Sequence, residues 1–268
     1  MIAACGGKSR IINPSDCDDA VISRRVAEAL GAQVKPSSGN TWSVEGGFGG
    51  SAARKINVKE SGTVLRFLLP LLALRQGKFT VTGESTLKGR PNFHLNEALR
   101  TMGVNIKGRG AVESVPISLE GGNLSGGKMK VDGSLSSQFI SALLIACPYL
   151  PNDTRLMIEG RQVVSATYIT MTLQILKVAG IKVQQKGPRL FVIPGGQSFS
   201  GLKNFVVPSD YGLAAFFLAA AALVKSDLLL KGELSNRYIQ ADGEILTFLR
   251  KMGVRFPHTS SQIKITGP

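Results

Sequence analysis

The segment LNEALRTMGVNIK, Leu95 to Lys107, sets apolar residues at helical spacing (Leu95, Leu99, Met102), stops at Gly103 and continues into a strand-like alternation. This is the order of an amphipathic helix closed by a residue in the left-handed conformation. It recurs in RRVAEALGAQVK up to Gly31, MTLQILKVAGIKVQ up to Gly180 and EILTFLRKMGVRF up to Gly253. The glycines are 72, 77 and 73 residues apart, a period that marks an internal repeat. Each is followed by two strand-like runs joined by a turn: VKPSSGNTWSVEGG, IKGRGAVESVPISLEGG, VQQKGPRLFVIPGG and FPHTSSQIKITGP.

A second marker precedes three of these segments. SGTVLRFLLPLLAL, SSQFISALLIACPYL and DYGLAAFFLAAAAL each open with small or polar residues and run into an apolar helix. Their openings, Gly62, Ser137 and Tyr211, are 75 and 74 residues apart and lie 41 to 43 residues before the closing glycine. The repeating unit is thus buried helix, strand, surface helix and two-strand hairpin, which implies an α/β packing of helices on sheets. Counting the same interval back from Gly31 falls before Met1. The opening of the first unit is therefore expected to lie outside this chain, with MIAACGGKSRII read as the end of its helix and the strand that follows.

A helix whose first turn is rich in Ser, Gly and Thr presents unpaired backbone N–H groups at its positive end, which suits an anion. Glu60-Ser61-Gly62-Thr63 offers a close-approaching glycine and hydroxyls; Ser136-Ser137-Gln138 offers two hydroxyls and an amide. For either opening alone ordinary N-capping is the plainer reading; two such openings at equivalent repeat positions in a chain of net charge +14 bring anion binding level with it. Arg90, in the loop LKGRPNF, is either a solvated loop residue or a bidentate clamp for carboxylate or phosphate. The equivalent loops of the other units carry Asp18 and Asp19, Ser165 and Tyr168, and Gln240 and Asp242.

Composition narrows the classes. Of 268 residues, 43% are hydrophobic and 19% charged, so the chain is globular rather than disordered. A net charge of +14 suits anionic partners. Aromatics at 6% and scattered Lys and Arg argue against a nucleic-acid-binding module. Three separated cysteines exclude a disulfide framework or zinc knuckle, and two histidines make a His-rich metal site improbable. The longest apolar run, Leu213 to Val224, is too short to span a membrane, and the start does not read as a signal peptide.

Taken in order, ESGTVLRF (60–67), GRP (89–91), VDGSLSSQFISALLIA (131–146), the SATY segment (165–168) and DYGLAAFFLAAAAL (210–223) resemble the 5-enolpyruvylshikimate-3-phosphate synthase family. The resemblance covers nearly the whole chain. It implies an α/β fold of repeated βαβαββ units in an inside-out α/β barrel. Residues 1–203 would be the first domain, of three units with the first truncated at its start, and residues 204–268 one unit of the second. The implied reaction moves the enolpyruvyl group of phosphoenolpyruvate to the 5-hydroxyl of shikimate 3-phosphate, with no metal and no organic cofactor. Gly62, Thr63, Arg90 and Gln138 would bind phosphoenolpyruvate. Ser136, Ser137, Gln138, Ser165 and Tyr168 would bind shikimate 3-phosphate. A cytoplasmic enzyme, monomeric at full length, with no nucleic-acid or membrane partner, is implied as well.

Several family features are not found. The N-terminal Pro-Gly-Ser-Lys-Ser segment, the catalytic Asp and Glu and the late Arg and Lys clamp have no counterpart here, so no catalytic residue is assigned and this chain is expected to bind better than it turns over. Glu60 stands where some relatives have Asn, and Ala166-Thr167 replaces a basic residue and Pro. Two other readings are a transferase of enolpyruvyl to a UDP-sugar, disfavoured by the Ser-Ser-Gln opening and by Cys147 lying inside an apolar helix, and a non-catalytic anion-binding or nucleic-acid-binding relic.

Overall fold

Gly31, Gly103, Gly180 and Gly253 all have positive φ, between 84° and 104°. At each, the residue after the glycine donates its N–H five residues back: Ala32 to Ala27, Val104 to Leu99, Ile181 to Leu176 and Val254 to Leu249, at 2.9–3.1 Å. One helix stop is used four times. A Cβ at such a φ is strained. Gly103→Ala is expected to cost about 1–2 kcal/mol, measured as a lower denaturation midpoint by fluorescence of Trp42, the single tryptophan.

The computed structural model describes residues 1–47, 53–122, 124–235 and 237–268. The chain divides into two compact units, Met1–Phe205 and Val206–Pro268. In the first, the elements run α1 (Ile2–Cys5), β1 (Gly7–Ile12), α2 (Asp18–Ala29), β2 (Gln33–Ser37), β3 (Thr41–Gly46), β4 (Lys55–Asn57), α3 (Gly62–Ala73), β5 (Gly77–Thr82), α4 (Phe93–Thr101), β6 (Asn105–Arg109) and β7 (Ser114–Gly121). They continue with β8 (Gly127–Asp132), α5 (Ser137–Ala146), β9 (Thr154–Glu159), α6 (Ala166–Val178), β10 (Gln184–Lys186), β11 (Leu190–Ile193) and β12 (Lys203–Val206). The short helix and strand expected over Met1–Ile12 are both present.

Three four-stranded sheets repeat one order: β4-β5-β7-β6, β8-β9-β11-β10 and β12-β1-β3-β2. The opening pairs β4–β5 and β8–β9 are parallel, and the other registered pairs are antiparallel. In the first sheet β12 holds the edge place that β4 and β8 hold in theirs. A strand from beyond the third unit therefore completes the first. The two compact units divide at 205/206, before the last residue of β12. The close approach needs glycine: a Cβ at Gly201 would lie 2.3 Å from the Lys8 carbonyl oxygen, and Gly201 has φ +80°.

The helices α3 and α5 are almost wholly buried and pack against each other; apart from Thr63 and Arg66 in α3 and Ser137, Gln138 and Ser141 in α5 their residues are apolar or glycine. Helices so largely apolar belong inside. The sheets lie outside them with alternating buried and exposed residues, as in β9 and β7. One core, from Cys5 to Leu202, runs through all three units.

The second unit comprises α7 (Tyr211–Leu223), β13 (Asp227–Lys231), α8 (Glu244–Lys251) and β14 (Gln262–Thr266). β13 pairs antiparallel with β14. The expected hairpin after Gly253 is reduced to β14 and a single bridge, His258 to Ile263. A separate core gathers Tyr211, Leu218, Leu246, Leu249, Ile263 and Ile265. Among the described residues no helix is long and apolar enough to cross a membrane.

Candidate functional site

The openings of α3 and α5 come together because their apolar bodies pack on one another. Both are capped: Ser61 Oγ accepts the Val64 N–H at 3.2 Å, and Ser136 Oγ accepts the Gln138 N–H at 3.3 Å. Capping and anion binding are not exclusive here. Among the described residues, no protein acceptor takes the N–H groups of Gly62, Thr63 or Ser137. These orphan donors mark the positive ends of the two helices.

Gln138 ties the openings together. Its Nε2 donates to Thr63 Oγ1 at 2.9 Å, and its Oε1 accepts from the Arg66 guanidinium. Arg66 also donates to Ser136 Oγ at 3.4 Å and to the Pro91 carbonyl at 3.3 Å, and it stacks 4.9 Å above the Phe139 ring centroid. It is only 9% exposed and, among the described residues, has no carboxylate partner. Burial, and then the neighbouring Arg90, lower its pKa to about 10, so it remains a cation at neutral pH.

Arg90 is exposed on the loop before α4, and its Nη1 lies 3.0 Å from the place a Cβ at Gly62 would take. A side chain at that position would push the guanidinium aside. The loop is held by Asn92, which is fully buried: its Nδ2 donates to the Arg90 carbonyl at 3.0 Å, and its N–H to the Val112 carbonyl at 2.9 Å.

The Ser136 loop is set from the other side. Asp132, at the end of β8, accepts the Ser134 N–H at 2.7 Å and its hydroxyl, and these bonds hold the carboxyl below its usual range. Ser137 is buried, yet its hydroxyl has no partner among the described residues. Ser165, with φ 52°, stands at the N-cap position of α6 without a side-chain capping bond, and the Val164 N–H donates to the Gly133 carbonyl at 3.1 Å. Thr172 donates to Ser141 Oγ at 2.8 Å. One turn back from that contact along each helix are Tyr168 and Ser137, which places both at the same end of the α5–α6 pair.

The structure thus links Thr63, Gln138, Arg66 and Ser136 by hydrogen bonds, sets the Arg90 guanidinium beside Gly62, and puts Ser137 on the same helix turn and Ser165 and Tyr168 at the start of the adjoining helix. The sequence reading missed Arg66 and Asn92. Arg66 is the only charged residue between Ser61 and Leu74, and a lone cation in an otherwise apolar helix was the available signal. Asp18 and Asp19 occupy the first turn of α2, as favourable dipole partners do. Among the described residues no group of three or more His, Cys, Asp or Glu is placed to hold a metal ion.

What this arrangement can do chemically is bind a compact polyanion with two cations, two helix openings and several hydroxyls. The fold is that of the enolpyruvyl transferases: EPSP synthase from Acinetobacter baumannii superposes with a TM-score of 0.76 at 23% identity, covering 98% of this chain and 60% of that one. The enolpyruvyl transferase NikO from Streptomyces tendae gives 0.74 at 18% identity, covering 100% and 61%. The chain belongs to the EPSP synthase (3-phosphoshikimate 1-carboxyvinyltransferase) family, whose model matches residues 1–268. It is 35% identical to the 3-phosphoshikimate 1-carboxyvinyltransferases of Photobacterium profundum and Methanosarcina acetivorans, over 94% of this chain. The chain spans about 60% of the length of these curated relatives.

Proposed function

We propose that this chain binds shikimate 3-phosphate and phosphoenolpyruvate as part of a 3-phosphoshikimate 1-carboxyvinyltransferase. The observation that carries the reading is the pair of helix openings joined by Gln138 and Arg66, with Arg90 over Gly62. In this reading the Ser136-Ser137 opening and Ser165 take the shikimate phosphate, and Tyr168 lies along the ring. Gly62, Thr63 and Arg90 take the phosphate and carboxylate of phosphoenolpyruvate, and Gln138 touches both.

The reaction adds the 5-hydroxyl oxygen to C2 of phosphoenolpyruvate while C3 gains a proton and becomes a methyl group. Loss of a proton from that methyl and of phosphate from C2 then restores the enol double bond. Negative charge on the transferring group is held throughout by donors already in place. The residues named here bind and orient; none of them is assigned the proton transfers. Both substrates carry phosphates that do not cross a bilayer, which supports a cytoplasmic location, and a monomer is the simplest assembly for a site built within one unit.

Isothermal titration tests the reading. Ser137→Ala is expected to weaken shikimate 3-phosphate binding by about 1–3 kcal/mol, as for a hydrogen bond to a charged group. Equal affinities in variant and parent would refute the assignment.

A further inference from the structure

A concavity of about 410 Å3 lies on the sheet β12-β1-β3-β2, and none of its lining residues belongs to the helix openings. Lys8, Arg10, Lys35 and Lys203 contribute cations to its lining, and Glu45 its one carboxylate. The strand register explains the imbalance. One cross-strand row reads Lys8, Glu45, Gln33, and there Lys8 and Glu45 stand 3.8 Å apart. The next exposed row reads Arg10, Ser43, Lys35. Two cations flank a hydroxyl, their backbones two strand spacings or about 10 Å apart. Lys203 joins them from β12. Among the described residues no carboxylate pairs with Arg10, Lys35 or Lys203.

The repeat supplies an internal comparison. In the second sheet the corresponding rows are Lys78, Glu120, Asn105 and Thr80, Ser118, Lys107. The neutralised row is kept almost unchanged, with Lys78 and Glu120 4.0 Å apart. In the other row Thr80 stands where the first sheet has Arg10. In the third sheet the rows become Arg155, Val192, Gln184 and Met157, Leu190, Lys186. The doubled cation about a serine is thus particular to the first sheet and is not a demand of the fold. Its floor is ordered: the buried Ser9 accepts the Leu202 N–H at 2.8 Å, which fixes the start of β12 beside β1. The volume is that of a small-molecule site, and unpaired cations in a concavity focus an attractive field on anions.

We propose that this groove binds a small molecule carrying a diphosphate or two phosphate groups, with Arg10 and Lys35 gripping from either side of Ser43 and Lys203 closing one edge. The proposal stands apart from the function proposed above, and its test is arranged so. The full chain with Arg90→Ala and Ser137→Ala, which disable the helix-end site, is titrated with inorganic pyrophosphate at two salt concentrations. Saturable binding that weakens with salt is expected. Adding Arg10→Ala and Lys35→Ala, both on an exposed face, is expected to lower the affinity about tenfold or more, with circular dichroism unchanged. Absence of binding in the first background, or affinity indifferent to Arg10 and Lys35, overturns the proposal. So does a single-stranded oligonucleotide that binds more tightly than pyrophosphate through the same residues. Shikimate 3-phosphate titrated into the unmodified chain reports separately on the helix-end site.

Discussion

Replacing Arg66 with methionine is expected to remove anion-dependent stabilisation of the protein while leaving its ligand-free melting temperature unchanged or raised. A guanidinium that is 9% exposed and faces no carboxylate among the described residues has lost water without gaining a counter-ion. Its neutral partners, Gln138, Ser136 and the Pro91 carbonyl, and the face of Phe139, offset only part of that loss. The depressed pKa of about 10 expresses the remainder, a cost on the order of 2–3 kcal/mol, less where solvent screens the group.

The sign follows from the direction of the shift. A base with a lowered folded pKa destabilises the fold wherever it is charged. The cost is complete below about pH 10 and fades only as pH rises from there toward the unfolded value. Methionine fills similar space without the charge, and such exchanges are often neutral or stabilising. An anion bound at the helix openings would supply the missing counter-charge, so the parent protein should gain more from it than the variant does. Thermal unfolding with and without shikimate 3-phosphate checks this, with about 1.5–3 kcal/mol of binding lost in the variant. A variant that melts well below the parent and is still stabilised by the ligand would show that Arg66 is structural.

Arg66 also shows where reading the sequence ran short. The repeat was legible because its marker is local: a helix stop needs a glycine at positive φ, and Gly31, Gly103, Gly180 and Gly253 recur at even spacing. The helix openings were legible for the same reason, as small hydroxyl residues ahead of an apolar run. The seating of β12 beside β1 was not, because that pairing joins residues almost two hundred positions apart and no local pattern encodes it. Asn92 was hidden likewise: its task is to hold the Arg90 carbonyl and to meet Val112 from another strand connection. The cationic row Arg10–Ser43–Lys35 exists only once the register of three strands is known.

The same repeat yields an expectation about stability, from positions that are equivalent in sequence and opposite in environment. Seven residues after the caps Ser61, Ser136 and Asp210 come Leu68, Leu143 and Phe217. Leu68 and Leu143 are fully buried, whereas Phe217 is 56% exposed. Leu143→Ala should therefore cost about 2–5 kcal/mol, the lost transfer energy plus the cavity left between packed helices. Phe217→Ala should change stability by no more than about 0.5 kcal/mol, since little burial is lost and alanine favours a helix. Trp42 lies in the same unit as Leu143, so its fluorescence in denaturant reports the first change. The second variant should differ in solubility instead. Phe217 lies with Leu213, Phe216 and Leu223 on an open apolar surface of α7, and such surfaces promote association. Light scattering on heating should begin at a higher temperature in Phe217→Ala than in the parent, with the Trp42 transition unmoved. A shift of that transition by Phe217→Ala as large as the one from Leu143→Ala would show that sequence equivalence, and not burial, governs the cost.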